Sequence, residues 1–167
     1  MNMSEPIGAI IRIGGNLPRR LFDEITEGEP GEPGTGPNYA GCSLEQATGG
    51  QVLVCGGEEN YGQFDFEDDL RQAGVPFDRH SDPKYEYEGD EITFRPGFDL
   101  LRAACSDEGT IYLEAEAVEA ILDDTTLDLA GMMTRFYDLD GLKLLRFRRE
   151  HPLPPLEIIE DEEEDEC

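Results

Sequence analysis

Basic residues are scarce in this chain. Only 13 lysines and arginines stand against 39 aspartates and glutamates, which gives a formal charge of −26 over 167 residues. Nucleic-acid binding requires clustered Lys and Arg against the phosphates. The one basic cluster comprises Lys143, Arg146, Arg148 and Arg149. We expect it to pair with carboxylates of the same chain, so the composition argues against direct nucleic-acid binding.

Residues that often carry catalysis are also few. Tryptophan is absent and there are two histidines. His80 lies in DRHSD beside Ser81 and Asp82, but neighbours in an extended segment point to opposite sides. No serine lies in a G-x-S-x-G pattern. We therefore predict no catalytic residue and no enzyme activity.

The sequence has no recognisable metal-binding motif. The segment from Asp138 to Gly141 resembles the start of a calcium loop, but its glycine is at the fourth position and Arg149 occupies the twelfth. The four cysteines, at 42, 55, 105 and 167, form no C-x-x-C pair. We predict no metal and no cofactor. Free thiols in a reducing cytoplasm are favoured, and a Cys42–Cys55 bridge is left open.

Long hydrophobic runs are missing as well. No apolar stretch approaches the roughly 20 residues that span a bilayer. The N-terminal MNMSEPIGAI has neither the basic start nor the long apolar core of a signal peptide. We therefore expect a cytoplasmic protein that does not enter the membrane.

The acid is spread through the chain. Eight carboxylates lie in Glu157–Glu166, and without them 31 acidic residues still oppose 13 basic ones, a charge of −18. A charge so far from zero repels itself and opposes the compact state. Three explanations are open: a high-salt setting, simple solubility, or a partner with a strongly positive surface.

Hydrophobic periodicity predicts one α+β domain over residues 1–155. Ile7 to Ile13 alternate as a central strand, and Leu21 and Ile25 line a helix after Gly14-Gly15. The Gly/Pro-rich segment at about 27–50 is predicted to be a mobile loop. A short strand, QVLVC, follows, ending in a turn at Gly56-Gly57. The end of the chain, 156–167, is predicted to be a disordered acidic tail.

The unit from Asn60 to Gly97 is predicted to be a helix closed by Gly74, then a strand, then a hairpin that turns at Gly89-Asp90. The C-terminal part is predicted to be more helical, with helices at 98–106, 114–122 and 127–137, a turn at Asp140-Gly141 and a strand at 142–147. We expect a mostly antiparallel sheet with helices packed on one face, in a ferredoxin-like manner.

Two resemblances concern function. The pattern Y-G-x-F…L-x-x-x-G-V-P-F-D-R-x-S-D-x-x-Y-E-Y…F-R-P-G, from Tyr61 to Gly97, resembles a segment of small acidic proteins from phages and other mobile elements. In size and charge the chain is similar to anti-CRISPR and anti-restriction inhibitors, which present carboxylates where DNA phosphates would lie. That resemblance implies a protein partner rather than a substrate.

The hypothesis is therefore a non-enzymatic inhibitor of a nucleic-acid-binding host defence protein, of CRISPR or restriction type, acting by acidic mimicry of DNA. The alternative is an acidic accessory or structural protein without mimicry. The sequence leaves the oligomeric state, including a homodimer, open. The candidate partner-binding carboxylates form three rows: Glu58, Glu59, Asp65, Glu67, Asp68 and Asp69; Glu86, Glu88, Asp90 and Glu91; and Glu116, Glu119 and Asp123.

Overall fold

The computed structural model describes residues 6–27, 39–60, 62–85 and 88–161. Within these ranges the strands are β1 Pro6–Ile13, β2 Asn16–Pro18, β3 Tyr39–Ala47, β4 Gly50–Asn60, β5 Phe77–Ser81, β6 Gly89–Phe94, β7 Leu101–Cys105 and β8 Glu157–Ile159. The helices are α1 Arg19–Glu27, α2 Glu67–Gln72, α3 Ala115–Leu122, α4 Leu129–Tyr137 and α5 Asp140–Glu150.

Six strands form an antiparallel sheet in the order β3-β4-β1-β5-β6-β7. β1 is an interior strand, as its apolar alternation predicts, and Ile11 and Ile13 are completely buried. β2 and β8 form a separate parallel pair. The α+β class and the mostly antiparallel sheet are thus confirmed. The strand order is not ferredoxin-like, because β1 lies between the β3–β4 hairpin and a β5-β6-β7 meander.

The helices lie on both faces of the sheet. α1 and α2 pack on the face that carries Ile11 and Phe77, where they complete the main hydrophobic core. α5 packs on the opposite face, where Arg148 contacts Thr93. The sheet separates α1 and α2 from α5, because successive residues of a strand point to opposite faces and each set of helices contacts one face. The sequence predicts helices on one face only, whereas the structure has helices on both.

Two segments have the opposite secondary structure to the one predicted. Residues 101–105, expected in a helix, form β7, and residues 142–147, expected as a strand after a turn at Asp140-Gly141, lie within α5. Local spacing was ambiguous in both segments. The pairing of β7 with β6 and the burial of Leu144 decide between the alternatives, which shows tertiary contacts overriding propensity.

The hairpin prediction places the turn too late. β5 pairs with β6 from Phe77↔Phe94 to Ser81↔Asp90, so Gly89 and Asp90 begin a strand instead of forming a turn. Tyr85 lies in the connection and is exposed. Glu86 and Tyr87 are outside the described residues. Gly74, in contrast, ends α2 with a positive φ of 69°, as a C-terminal glycine is expected to do.

The expected loop at 27–50 is partly strand. Residues 39–47 form β3, which pairs with β4, and Gly56 and Gly57 continue β4 instead of forming a turn. Glycine composition suggested a loop here, but a strand pair tolerates glycine where a partner strand supplies the ladder. Residues 28–38 of the predicted loop lie outside the described residues.

The predicted acidic tail begins later than expected. Leu156 packs against the main core, and β8 pairs with β2. Arg19 then contacts Glu160, and the Arg20 amide donates to the Asp161 carboxylate. Residues 152–161 therefore form a C-terminal strap on the body of the domain, and 162–167 lie outside the described residues.

A glycine at the first corner makes room for this strap. A Cβ at Gly14 would lie 2.0 Å from the Pro154 carbonyl oxygen, closer than real atoms approach. Gly14→Ala should therefore lower the free energy of unfolding by about 1–3 kcal/mol through overpacking. Gly56→Ala is the matched control, because its Cβ would meet nothing closer than 3.8 Å. Equal denaturant midpoints for the two variants would contradict the close contact.

Candidate functional site

The structure separates the candidate carboxylates into exposed and buried groups. Glu67 and Glu91 are buried, with 4% and 8% exposure, so neither can meet a partner surface. Asp90 is half-buried and lies 3.9 Å from Arg102. The side chains of Glu58, Glu59 and Glu86 are outside the described set. The exposed members are Asp65, Asp68, Asp69, Glu88, Glu116, Glu119 and Asp123.

Glu67 is instead part of the interior. Its carboxylate forms an ion pair with Arg79, and the side chains are 5% and 2% exposed. It also accepts a hydrogen bond from the Phe64 amide at 3.3 Å. Burial raises the pKa of Glu67 and lowers the pKa of Arg79, because desolvation disfavours each charged form. This pair fastens α2 to β5 and is structural.

Most arginines form ion pairs with carboxylates of the same chain. The arginines within salt-bridge distance of a carboxylate are Arg19, Arg20, Arg71, Arg79, Arg95, Arg102, Arg135, Arg146 and Arg148. Two residues of the basic cluster pair with carboxylates of the same chain, as predicted: Arg146 contacts Glu150 and Arg148 contacts Glu91. The excess of carboxylates therefore has few cations left to neutralise it.

The row on α3 keeps its predicted geometry. Glu116, Glu119 and Asp123 are all exposed, and Ile121 on the other side of the helix is buried. A rise of about 1.5 Å per residue sets successive carboxylates about 5 Å apart along the axis. One strand of duplex DNA carries a phosphate about every 3.4 Å. The spacings are of the same order.

The α2 row (Asp65, Asp68 and Asp69) and the α3 row (Glu116, Glu119 and Asp123) belong to separate groups of helices. α2 reaches one face through Glu67 and Arg79. α3 packs on α4, α4 packs on α5, and α5 covers the other face. The predicted partner-binding residues therefore divide between two groups of helices.

A polar cluster lies beneath α5 on three neighbouring strands. His80 of β5 is directly opposite Glu91 of β6, and Cys105 of β7 points to the same face. His80 Nδ1 is 2.8 Å from Glu91 Oε1 and 3.6 Å from Cys105 Sγ. Its Nε2 is 3.0 Å from Asp82 Oδ1. Arg148 lies 2.9 Å from the second oxygen of Glu91.

Cys105 in this cluster does not have the properties of a nucleophile. Its side chain is completely buried. Burial, together with the negative charges of Glu91, Asp90 and Asp82, raises the pKa of the Cys105 thiol to about 12. Reactive cysteines have lowered pKa values and partial exposure. Sequence reasoning missed this cluster because its members are far apart along the chain.

An open groove lies between α4, α5 and the segment before β7. It has a volume of about 690 Å³, and Phe98, Met133 and Phe147 contribute apolar walls. Phe98 packs edge-on against the Phe147 ring. Lys143, Arg146 and Glu150 also line it, so apolar side chains and charges of both signs share the groove.

The preference for free thiols at positions 42 and 55 is wrong. Cys42 and Cys55 form a disulfide with a Cα–Cα distance of 4.1 Å. They are directly opposite residues of β3 and β4. The sequence predicts a loop at 27–50, and a loop gives no indication that Cys42 pairs with Cys55 across two strands. Since disulfides persist in oxidising compartments, the cysteines give the cytoplasmic expectation no support.

Within the described ranges, none of the helices is long and apolar enough to cross a membrane. Comparison with protein-family models, with curated protein sequences and with solved structures found no significant match.

Proposed function

We propose that this protein inhibits a nucleic-acid-binding host defence protein of CRISPR or restriction type by occupying its DNA-binding surface with carboxylates. The supporting observation is the exposed row on α3, Glu116, Glu119 and Asp123, in a chain whose arginines are largely paired internally. A basic channel built for phosphates attracts such a row and guides fast association.

The proposed binding surface leaves out several of the candidate carboxylates. Glu67 and Glu91 are left out because they are buried. Asp65, Asp68 and Asp69 are left out because they lie in or next to α2 and not on α3. In a host cytoplasm the Cys42–Cys55 bridge would be reduced, and the β3–β4 ladder would hold that hairpin without it.

The alternative is an acidic accessory protein whose charge serves solubility or assembly. Exposed carboxylates on both α2 and α3 favour it, because a solvated protein needs no single charged face. A partner that binds one row and ignores the other distinguishes the two functions.

Direct binding to purified defence complexes tests the proposal. The protein should bind a DNA-free CRISPR surveillance complex or a DNA-free restriction enzyme, and pre-bound duplex should block it. Affinity should fall steeply between about 50 mM and 500 mM salt, since the attraction is between exposed charges. Binding to the DNA-loaded complex with equal affinity, or to none of the complexes, would contradict the proposal.

A truncated chain serves as the control for the terminal acid. Truncation after Asp161 removes only 162–167 and keeps the strap that contacts Arg19 and the core. We expect this form to bind within about threefold of the full chain, because the proposed contact is made by α3 and screening limits the reach of other charges to about 10 Å. A complete loss of binding would show that residues 162–167, and not the folded domain, carry the binding activity.

A further inference from the structure

We propose that His80, Glu91 and Cys105 bind a single zinc ion. This site goes beyond the proposed inhibition and does not depend on it. Each of the three side chains offers one ligand atom, and these atoms all lie within 4.8 Å of one another. Nitrogen, oxygen and sulfur ligands are those that zinc takes in proteins.

Strand register places the ligands. His80 and Glu91 are directly opposite residues of β5 and β6. Glu91 pairs with Ala103 of β7, so Cys105, two residues further along, points to the same face. Three ligands on paired strands are held more rigidly than ligands on loops.

The separation of His80 and Cys105 already suits a small tetrahedral ion, and that of His80 and Glu91 needs a small adjustment. Zinc with bonds of about 2.0–2.3 Å holds its ligand atoms roughly 3.3–3.8 Å apart. His80 Nδ1 and Cys105 Sγ are 3.6 Å apart. His80 Nδ1 and Glu91 Oε1 are 2.8 Å apart and would widen by about half an ångström, which a small rotation of the Glu91 carboxylate supplies.

The two ring nitrogens of His80 face different carboxylates. Nε2 lies 3.0 Å from Oδ1 of the half-exposed Asp82, and Nδ1 lies 2.8 Å from Oε1 of the buried Glu91. A zinc ion bound by Nδ1 and Oε1 would leave the Nε2–H group to donate to Asp82. A carboxylate on the second nitrogen is the usual support for a metal-binding histidine.

The other neighbours define the remaining coordination. Arg148 holds the second oxygen of Glu91 at 2.9 Å, which leaves Oε1 as a single ligand atom. Gly109 has no side chain, and a Cβ there would lie 3.4 Å from Glu91 Oε1 and 3.9 Å from His80 Nδ1. No side chain of residue 109 therefore blocks the cluster on that side. Binding releases the Cys105 thiol proton to solvent as the zinc–sulfur bond forms.

Cobalt substitution is the most direct test, since Co²⁺ bound to a thiolate gives a charge-transfer absorption that carboxylates do not produce. The full chain with Cys167→Ser, stripped with chelator, should bind one equivalent of Co²⁺ with this band, and Zn²⁺ should displace it. At 100 times the dissociation constant, Zn²⁺ should raise Tm by about 5–10 °C.

Variants separate this site from diffuse binding to the acidic surface. Cys105→Ala should abolish the band and the Tm shift, and His80→Asn should weaken binding by at least about tenfold. Asp65→Asn/Asp68→Asn/Asp69→Asn should change neither. The zinc site would be overturned if the charge-transfer band were absent from protein in which His80, Glu91 and Cys105 are intact. That result does not depend on the folding of any cluster variant, and it would show that a proton and not a metal joins His80 to Glu91. Binding equally weakened by the surface variant would also overturn the site.

Discussion

Replacing Glu67 by alanine should lower the free energy of unfolding by about 3–5 kcal/mol, because the substitution leaves the Arg79 charge buried without its partner. Arg79 is 2% exposed in the structure, so water cannot take the place of the lost carboxylate. The Phe64 amide loses its acceptor as well. Denaturant titration measures the loss, and Tm should fall by about 10 °C or more.

Two controls show whether this loss comes from the broken pair. Asp68→Ala removes a neighbouring carboxylate that is exposed and only 3.9 Å from Arg71, so it should cost less than about 1 kcal/mol. The double variant Glu67→Leu/Arg79→Met removes both charges and should recover most of the stability, because an apolar pair avoids the desolvation penalty. A Glu67→Ala loss below about 1 kcal/mol would place Glu67 on the surface.

Replacing Arg148 by alanine should cost about 2–4 kcal/mol in metal-free protein. The guanidinium contacts Glu91 at 2.9 Å, the Ile92 carbonyl at 3.2 Å and the Thr93 hydroxyl. Without it, one oxygen of a buried carboxylate loses its charged partner. Because these contacts tie α5 to the sheet, amide exchange in α5 should also accelerate.

The next residue provides a matched control for Arg148. Arg149 is exposed, and within the described part of the chain it makes no ion pair. Arg149→Ala removes the same side chain from the same helix and should change stability by less than about 0.5 kcal/mol. Equal losses for the two variants would mean that helix propensity or net charge, and not the contact with β6, sets the cost.

Hydrophobic periodicity predicts the strands and helices that bury one regular apolar face. The alternation of Ile7, Ile11 and Ile13 identifies β1, because one face of that strand packs on α1. The stripe of Leu21 and Ile25 identifies α1 for the same reason. Gly74 marks a helix end, since its positive φ is a property of glycine itself.

Pairing partners could not be predicted from the same patterns. Leu101 to Cys105 are compatible with a helix until β6 supplies a ladder. The cluster of His80, Glu91 and Cys105 exists only because three strands are in register. Glu67 lies in the run Glu67-Asp68-Asp69, where composition indicates a solvated face, yet this one carboxylate turns inward to Arg79. A charge pattern predicts the sign of a surface, but it does not predict which of the charged residues are buried.

The most direct test compares neutralised rows on the two groups of helices. Glu116→Gln/Glu119→Gln/Asp123→Asn and Asp65→Asn/Asp68→Asn/Asp69→Asn each remove three exposed negative charges. Their affinities for the DNA-free defence complex are measured at low salt, after circular dichroism has shown that both variants fold. If α3 mimics DNA, its variant should bind at least about tenfold more weakly, and the α2 variant should stay within about twofold of the unsubstituted protein. Equal effects of the two variants would show that only total charge matters and would contradict mimicry by the α3 row.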